Sequence, residues 1–370
     1  MEKKKNLLWI TADCFIDVDL PIIPLLCTSY NITWKIIISQ NTEIDYYNLI
    51  KKTCDNLPIR YEIIKIKHRL RDPRIISEYY NILKNSNTPK DLTYINFVGI
   101  PYFYTLLFPF IHRKKTIIAI HNVTTPRQAS NALIATLYTK WIRHIAKNIQ
   151  VFSINQLEII KRLQPKKNIF YAPLALKDFG ESKAIPNDKE ITFLFFGFIR
   201  GYKRVDVLIE AAQLAYKKTK RKFKVIIAGK CDNWDIYDKL ITNPELFELK
   251  IRSISNEEVP DLFCRSHYYV LPYQDIAQSG ALTVGLRYNI PIIASDLPAF
   301  KELLVDNITG YTIKPADKIS LSERIISILS NHEKNYSNLK NAQKEYVNNI
   351  LSTDKIASQY TYFFNSFFEK

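Results

Sequence analysis

Short apolar runs recur along the chain, spaced so that each neighbouring pair leaves room for a helix. Leu7-Leu8-Trp9-Ile10-Thr11, Trp34 to Ile38, Tyr61 to Ile66, Leu92 to Val98 and Thr116 to Ile120 read as strands. Brief runs rich in β-branched and aromatic residues suit strands covered on both faces. A helix is predicted from about Pro73 to Leu83, and helix-compatible stretches precede the last two strands. Such alternation predicts βαβ units and a parallel sheet. The pattern then restarts. Ile191 to Phe196 and Lys224 to Ala228 read as strands, the second closed by Gly229, and Val205 to Lys217 as the helix between them. Tyr268 to Leu271 is a further strand. Between the two halves, Lys177 to Lys189 collects Gly180, Ser182, Pro186, Asn187 and Asp188, the composition of a linker. Thr353 to Phe368 reads as a helix with Tyr360, Tyr362, Phe363, Phe364, Phe367 and Phe368. It suits docking on a domain, with membrane contact as the alternative. No short repeat period is present, which excludes a solenoid.

The stretch from Gln278 to Tyr311 is the most informative. It reads as a small-residue turn, an amphipathic helix, a buried strand at Pro291 to Ser295, an acid-bearing loop and a second short helix. Ser279-Gly280-Ala281 opens the first helix, so unpaired backbone N–H groups there can face an anion. A phosphate held at the mouth of a parallel sheet is a common way to bind nucleotides.

Length and composition narrow the picture. A chain of 370 residues suits two domains, and 47% hydrophobic residues suffice for two cores. No apolar run is long enough to span a bilayer, and Leu7 to Ile10 is too short for a secretory signal. Five scattered cysteines without a CxxC pair argue for a reducing compartment and against a structural zinc site. The net charge of +16 is unevenly spread: residues 1–185 carry 27 Lys and Arg against 14 Asp and Glu, and no acid lies between Asp91 and Glu158. That field attracts anionic partners: nucleic acid, lipid headgroups or diphosphates. Ile100 to Lys115, apolar and aromatic with a basic end, is either an interfacial segment or a core helix interrupted by Pro109.

The main candidate for chemistry is Phe196-Gly197-Phe198-Ile199-Arg200-Gly201-Tyr202-Lys203-Arg204, between a buried strand and a helix. Gly197 permits a tight turn, after which Arg200 and Lys203 project over the carboxyl end of the sheet. Two cations there can neutralise a diphosphate and stabilise it as it leaves. Surface cations on a solvated loop are the plain alternative.

FFGFIRGYKRVDVLIEAA, KVIIAGK, ISNEEVPDLFCRSHYYVLPY and QSGALTVGLRYNIPIIASDLPAFKELLVDNITGY follow one another in an order that resembles the C-terminal domain of family 4 glycosyltransferases. The resemblance covers most of 190–330. It implies an α/β protein of GT-B fold: two Rossmann-like domains with parallel sheets facing across a cleft. Residues 1–180 would form the acceptor domain, with 353–370 packing back on it, and 190–350 the donor domain. It further implies transfer of a hexose from a UDP- or GDP-sugar to a glycan or lipid-diphosphate acceptor, with retention at the anomeric carbon, in surface polysaccharide biosynthesis. Arg200 and Lys203 would bind the donor diphosphate. Gly197 would shape the loop, and Ser279, Gly280, Ala281, Leu282 and Thr283 would add backbone N–H groups and a hydroxyl. Glu302 would lie on the donor-side loop or cap a helix N-terminus. No metal or other cofactor is implied, because cationic side chains and helix N–H groups meet the charge.

The chain departs from the family pattern where two glutamates eight positions apart usually stand. Ile276 and Val284 occupy those positions, with Asp275 and Gln278 adjacent to the first. Donor identity stays open, and so does a catalytically silent partner subunit. In the N-terminal half, Thr116 to Val123 resembles the family's strand ending in a histidine that faces the donor sugar, here His121. That histidine could hydrogen-bond a sugar hydroxyl or shuttle a proton. Asp13, Asp17 and Asp19, after the first strand, are acids that could position an acceptor or cap the next helix. A cytoplasmic protein, peripheral at an anionic membrane surface, fits the charge. A basic nucleic-acid-binding protein is the competing class, but no RRM or helix-turn-helix pattern is present. A GT-B sugar-nucleotide epimerase is the remaining alternative.

Overall fold

Two parallel sheets organise the chain in the computed structural model, which describes residues 4–39, 44–68, 72–84, 91–96, 112–124, 132–276 and 279–368. The chain divides into two compact units, Met1–Ala175 with Thr353–Lys370, and Leu176–Ser352. The first unit holds β1 (Lys5–Ala12), β2 (Tyr30–Ile38), β3 (Arg60–Lys65), β4 (Leu92–Asn96), β5 (Thr116–Ala119), β6 (Asn148–Val151) and β7 (Asn168–Tyr171), in the order β3-β2-β1-β4-β5-β6-β7. The second holds β8 (Thr192–Phe196), β9 (Lys224–Ala228), β10 (Phe247–Lys250), β11 (Tyr268–Leu271), β12 (Ile292–Ser295) and β13 (Gly310–Ile313), in the order β10-β9-β8-β11-β12-β13. All neighbours are parallel. In each unit the strand order reverses beside the first strand, between β1 and β4 and between β8 and β11. Loops at the carboxyl ends of those strands therefore flank a crevice, the usual ligand position in such sheets.

Burial explains the strands. Leu7, Leu8, Trp9 and Ile10 of β1, and Phe193, Leu194 and Phe195 of β8, are buried on both faces of their sheets. The predicted strands at Lys224–Ala228 and Tyr268–Leu271 appear at those bounds, and the helix between β8 and β9 runs Val205–Thr219. β6, β7, β10 and β13, each four residues long, stand outside the strands that the apolar pattern predicts. A strand that short carries little alternation, and β10 lies at a sheet edge with half-exposed side chains.

The long helix Lys318–Ile350, with a non-helical break at Asn331, packs along the second unit. Asp317 caps it by accepting from the N–H groups of Ile319 and Ser320. Its Gln343 amide is buried and donates to the carbonyls of Ile290 and Thr309, at 3.1 Å each, tying β12 and β13 to the helix. Thr353–Asn365 then returns to the first unit and buries Ile356, Tyr360, Phe363 and Phe364 against Trp9, Tyr30 and Phe170. The Tyr30 hydroxyl donates to Asn365 Oδ1 at 2.7 Å, and Gln150 Nε2 to the Tyr360 hydroxyl at 2.5 Å. Residues 177–189 carry no regular strand or helix but are held to the second unit. Arg287 pairs with Asp178 at 2.8 Å and Glu181 at 2.7 Å, and the Phe179 N–H donates to the Tyr288 hydroxyl. Residues 100–111 of the apolar-aromatic segment lie outside the described residues. Among those described, no helix is long and apolar enough to cross a membrane.

Candidate functional site

The second unit's crevice is shaped by two glycines. Gly197 ends β8 with φ +114° and donates its N–H to the Ala228 carbonyl at 2.9 Å. Gly229 ends β9 with φ +152°, so close that a Cβ there would lie 2.2 Å from the Gly197 carbonyl oxygen. Only glycine permits both the backbone conformation and the approach. Gly229→Ala is therefore expected to destabilise the protein by at least ~2 kcal/mol. Gly280→Ala, whose Cβ would meet open space, should stay within about 0.5 kcal/mol of the parent. Urea unfolding of the two variants checks the contrast, and equal midpoints would refute it.

From Gly197 the chain runs through Arg200 into a 3-10 turn at Gly201–Lys203 and then into the Val205–Thr219 helix. The three cations of this loop end in different states. Arg204, left-handed at φ 52°, is committed to Asp206 by contacts of 2.7 and 3.1 Å. Arg200 stacks on Phe198, 4.0 Å from the ring centroid, and makes an exposed pair with Asp232 at 2.9 Å. Lys203 lies with Nζ 3.2 Å from where a Gly197 Cβ would stand and 5.6 Å from the Tyr273 ring centroid. It has no carboxylate partner among the described residues. Burial first, and then the charge of Arg200, push its ammonium down to about 8. A half-buried cation without a carboxylate partner among the described residues favours an anion brought in from solution.

The loop after β11 completes the crevice. The Gln274 N–H donates to the Tyr202 carbonyl at 2.8 Å, and Tyr202 and Tyr273 meet edge to face at 5.7 Å. These contacts tie the basic turn to the segment leading into the Gly280–Arg287 helix. Ser279 is that helix's N-cap, its hydroxyl accepting from the Leu282 N–H at 3.1 Å. The N–H groups of Gly280 and Ala281, in the first helical turn, have no carbonyl within the helix to bind. Gly280 is exposed and Ala281 half-buried. Leu282 and Thr283 are buried, and the Thr283 hydroxyl donates to the Gly280 carbonyl at 2.8 Å. Thr283 thus braces the turn, and Gly280 and Ala281 carry the open N–H groups. A Cβ on Gly285 would lie 2.8 Å from Tyr269, so this helix sits hard on the sheet.

Glu302 does not cap a helix N-terminus. Pro298 starts its helix, Pro298–Lys301, and Glu302 stands at the C-terminal end, its carbonyl accepting from the Tyr346 hydroxyl at 3.0 Å. Proline at the first turn sets the start of that helix upstream, which the acid's position in sequence did not reveal. Val284 is buried in its helix, Ile276 packs on the core and Asp275 is exposed. Gln278 lies outside the described residues.

The first unit has its own polar centre at the β1/β4 reversal. Asp19, read as one of three loop acids, is instead buried. Its carboxylate accepts from Trp9 Nε1 at 2.9 Å, Thr11 Oγ1 at 2.5 Å and Asn96 Nδ2 at 2.9 Å. Trp34 Nε1 donates to Thr11 Oγ1 at 2.9 Å, so the Thr11 hydrogen is directed to Asp19. Burial pushes the Asp19 carboxyl up to about 7, against the three donors that favour its charged form. Because the Asn96 amide nitrogen serves Asp19, its oxygen accepts from His121 Nε2 at 2.8 Å. His121, at the end of β5, is buried between the rings of Phe15 and Phe152, at 3.9 and 4.4 Å. Burial pushes its pKa down to about 3. A ring neutral at pH 7 offers one N–H donor and one ring-nitrogen acceptor and carries no charge. Asp13 accepts from the N–H groups of Cys14 and Ser39, binding the first loop to the end of β2, and Asp17 is exposed. Tryptophans inside strands and a carboxylate several residues downstream give no pattern by which this network is readable from sequence. Among the described residues, no group of His, Cys, Asp and Glu side chains is arranged to hold a metal ion.

Residues 177–346 match the family model described as glycosyl transferases group 1. An uncharacterized 41.2 kDa protein in the cps region of Klebsiella pneumoniae is 21% identical over 180 residues, 48% of this chain and 47% of that protein. The matched segment is thus about half the length of that curated relative. The fold is similar to that of a glycosyltransferase from Rickettsia africae ESF-5, with TM-score 0.74 and 15% identity over the full length of both chains. It is also similar to Anabaena Alr3699/HepE in complex with UDP and glucose, with TM-score 0.73 and 14% identity over 98% of this chain and 100% of that one.

Proposed function

We propose, from the match of residues 177–346 to glycosyl transferases group 1 and from the GT-B fold, that this chain moves a sugar from a nucleoside-diphosphate donor to a glycan or lipid-linked acceptor. The observation that carries the reading is Lys203: a desolvated ammonium beside Gly197, on a loop tied to the one that opens the Gly280–Arg287 helix. When the bond from the sugar to the diphosphate breaks, negative charge grows on the leaving oxygen. In this reading Lys203 and Arg200, with the Gly280 and Ala281 N–H groups, meet that charge. Retention at the anomeric carbon fits a site that stabilises the leaving group rather than one built around a strong base. His121, neutral and oriented through Asn96, is suited to a hydrogen bond with a sugar hydroxyl. The relative from a cps region supports a role in surface polysaccharide synthesis, and the UDP complex of the Anabaena protein favours a uridine donor over a guanosine one.

A second reading, a silent partner subunit, is favoured by one observation. Val284, at the position where the family usually carries a glutamate, is buried and offers no acceptor. A thermal-shift panel of UDP-, GDP-, ADP- and CMP-sugars separates the two readings, since a ligand that binds the folded state raises the melting temperature by mass action. The expected result is stabilisation by a UDP-sugar, weakened in Lys203→Ala. No response to any nucleotide would remove the transferase reading, and binding without turnover would favour the silent subunit.

A further inference from the structure

The Ala132–Ile145 helix of the first unit turns three large apolar side chains outward. Leu133, Leu137 and Trp141 follow at intervals of four and so share one face. They are 74%, 59% and 41% exposed, while Ile142 on the opposite face is buried and Ile145, four residues beyond Trp141, ends the stripe buried at the helix C-terminus. Lys140, His144 and Lys147 are exposed beside them. The stripe runs into a dense group of cations. Arg113 donates to the Ile145 carbonyl at 2.7 and 3.0 Å, and Lys167 Nζ to the carbonyls of His144 and Ala146 at 2.7 and 2.6 Å, closing the helix C-terminus. Burial, then the charges of Arg113 and Lys147, push the Lys167 ammonium down, which shows how closely the cations are set.

We infer that this face is a docking surface for an anionic lipid bilayer. Apolar side chains that enter the headgroup boundary, flanked by cations held at headgroup level, match both properties of such a surface. The segment that carries this face has no acid between Asp91 and Glu158. A second copy of the chain would set cation against cation, and a nucleic-acid duplex gives two leucines nothing to bury in. The inference stands apart from the glycosyl-transfer reading, and its test needs no turnover.

The test is flotation of the full chain with vesicles of phosphatidylcholine alone and of phosphatidylcholine mixed with phosphatidylglycerol, at low and high salt. Flotation is expected only with the anionic vesicles, with release by salt. Trp9 and Trp34 are fully buried and Trp234 is half-buried in the second unit, so the part of a blue shift of tryptophan emission that arises at this face should disappear in Trp141→Phe, which keeps the binding itself. The pairs Leu133→Ser with Leu137→Ser, and Lys140→Glu with Lys147→Glu, should each weaken binding by more than about tenfold, with unchanged circular dichroism. Absence of flotation at low salt, or flotation indifferent to both pairs, would overturn the inference. So would preferential capture by a DNA fragment.

Discussion

Replacing Lys203 with alanine is expected to lower turnover by about 10²–10³-fold while leaving the melting temperature unchanged or slightly raised. The asymmetry follows from the environment. Lys203 is half-buried, with Nζ beside Gly197 and Tyr273 and without a carboxylate partner among the described residues, so its charge costs the empty fold and, in the proposed reading, serves an incoming anion. The pH dependence has a definite sign. The folded-state pKa is lowered to about 8 from the ordinary lysine value of 10.5. The cost of the buried charge is therefore fully present below about pH 8 and fades as pH rises toward 10.5. Lys203→Met should be more stable than the parent at neutral pH and lose that advantage in strong alkali. Conversely, kcat/KM of the parent should fall as pH rises through about 8, as the free protein loses the proton that makes Lys203 a cation. Lys203→Arg should remove that limb. The assay is product formation with the donor chosen by thermal shift, beside melting curves over the same pH range. Parental turnover in Lys203→Ala would end the diphosphate assignment.

Asp19→Ala is expected to be the most destabilising single substitution in the first unit, by on the order of 3–5 kcal/mol. It leaves Trp9 Nε1, Thr11 Oγ1 and Asn96 Nδ2 as buried donors without their acceptor. Asp19→Asn keeps the volume but turns an amide toward donors, so its loss should be smaller yet substantial. Here the folded-state pKa is raised, to about 7 from 3.8. The contribution of the neutral carboxyl is fully present below about pH 4 and is lost as pH rises through about 7. Stability measured by denaturant titration should therefore decline over that window in the parent and decline less in Asp19→Asn. Matching slopes in the two proteins would show that Asp19 does not titrate there. Loss of the carboxylate also frees the Asn96 amide to turn, and with it the orientation of His121. A fall in kcat of Asp19→Asn beyond its loss of folded protein would reveal that second effect.

Much of the second unit was legible in the residues. The run Thr192–Phe196, the glycine after it and the cations beyond it occur in one local order, because a strand, a tight turn and a helix start are encoded by neighbours in the chain. The Ser279 cap is equally local. The basic loop looked uniform in sequence, yet Arg204 is spent on Asp206, Arg200 leans on Phe198 and Asp232, and Lys203 alone is withheld from a carboxylate partner among the described residues. Three cations within five positions differ only in what the fold sets beside them. Glu302 shows the same limit, since the proline that starts its helix decides which end of that helix the acid occupies.

By itself the sequence determined two α/β units with parallel sheets, the position of the glycine-basic loop and of the small-residue helix start, and the basic character of the first half. These depend on periodicity and on neighbouring residues, which a linear pattern preserves. Tertiary structure decided which ionisable groups leave water. Asp19 is placed among Trp9, Thr11 and Asn96, His121 between Phe15 and Phe152, and Lys203 against Tyr273 by strand pairing between residues far apart in the chain. Desolvation and hydrogen-bond geometry are set by whatever the fold brings within a few ångströms, and no local pattern of residues carries that information.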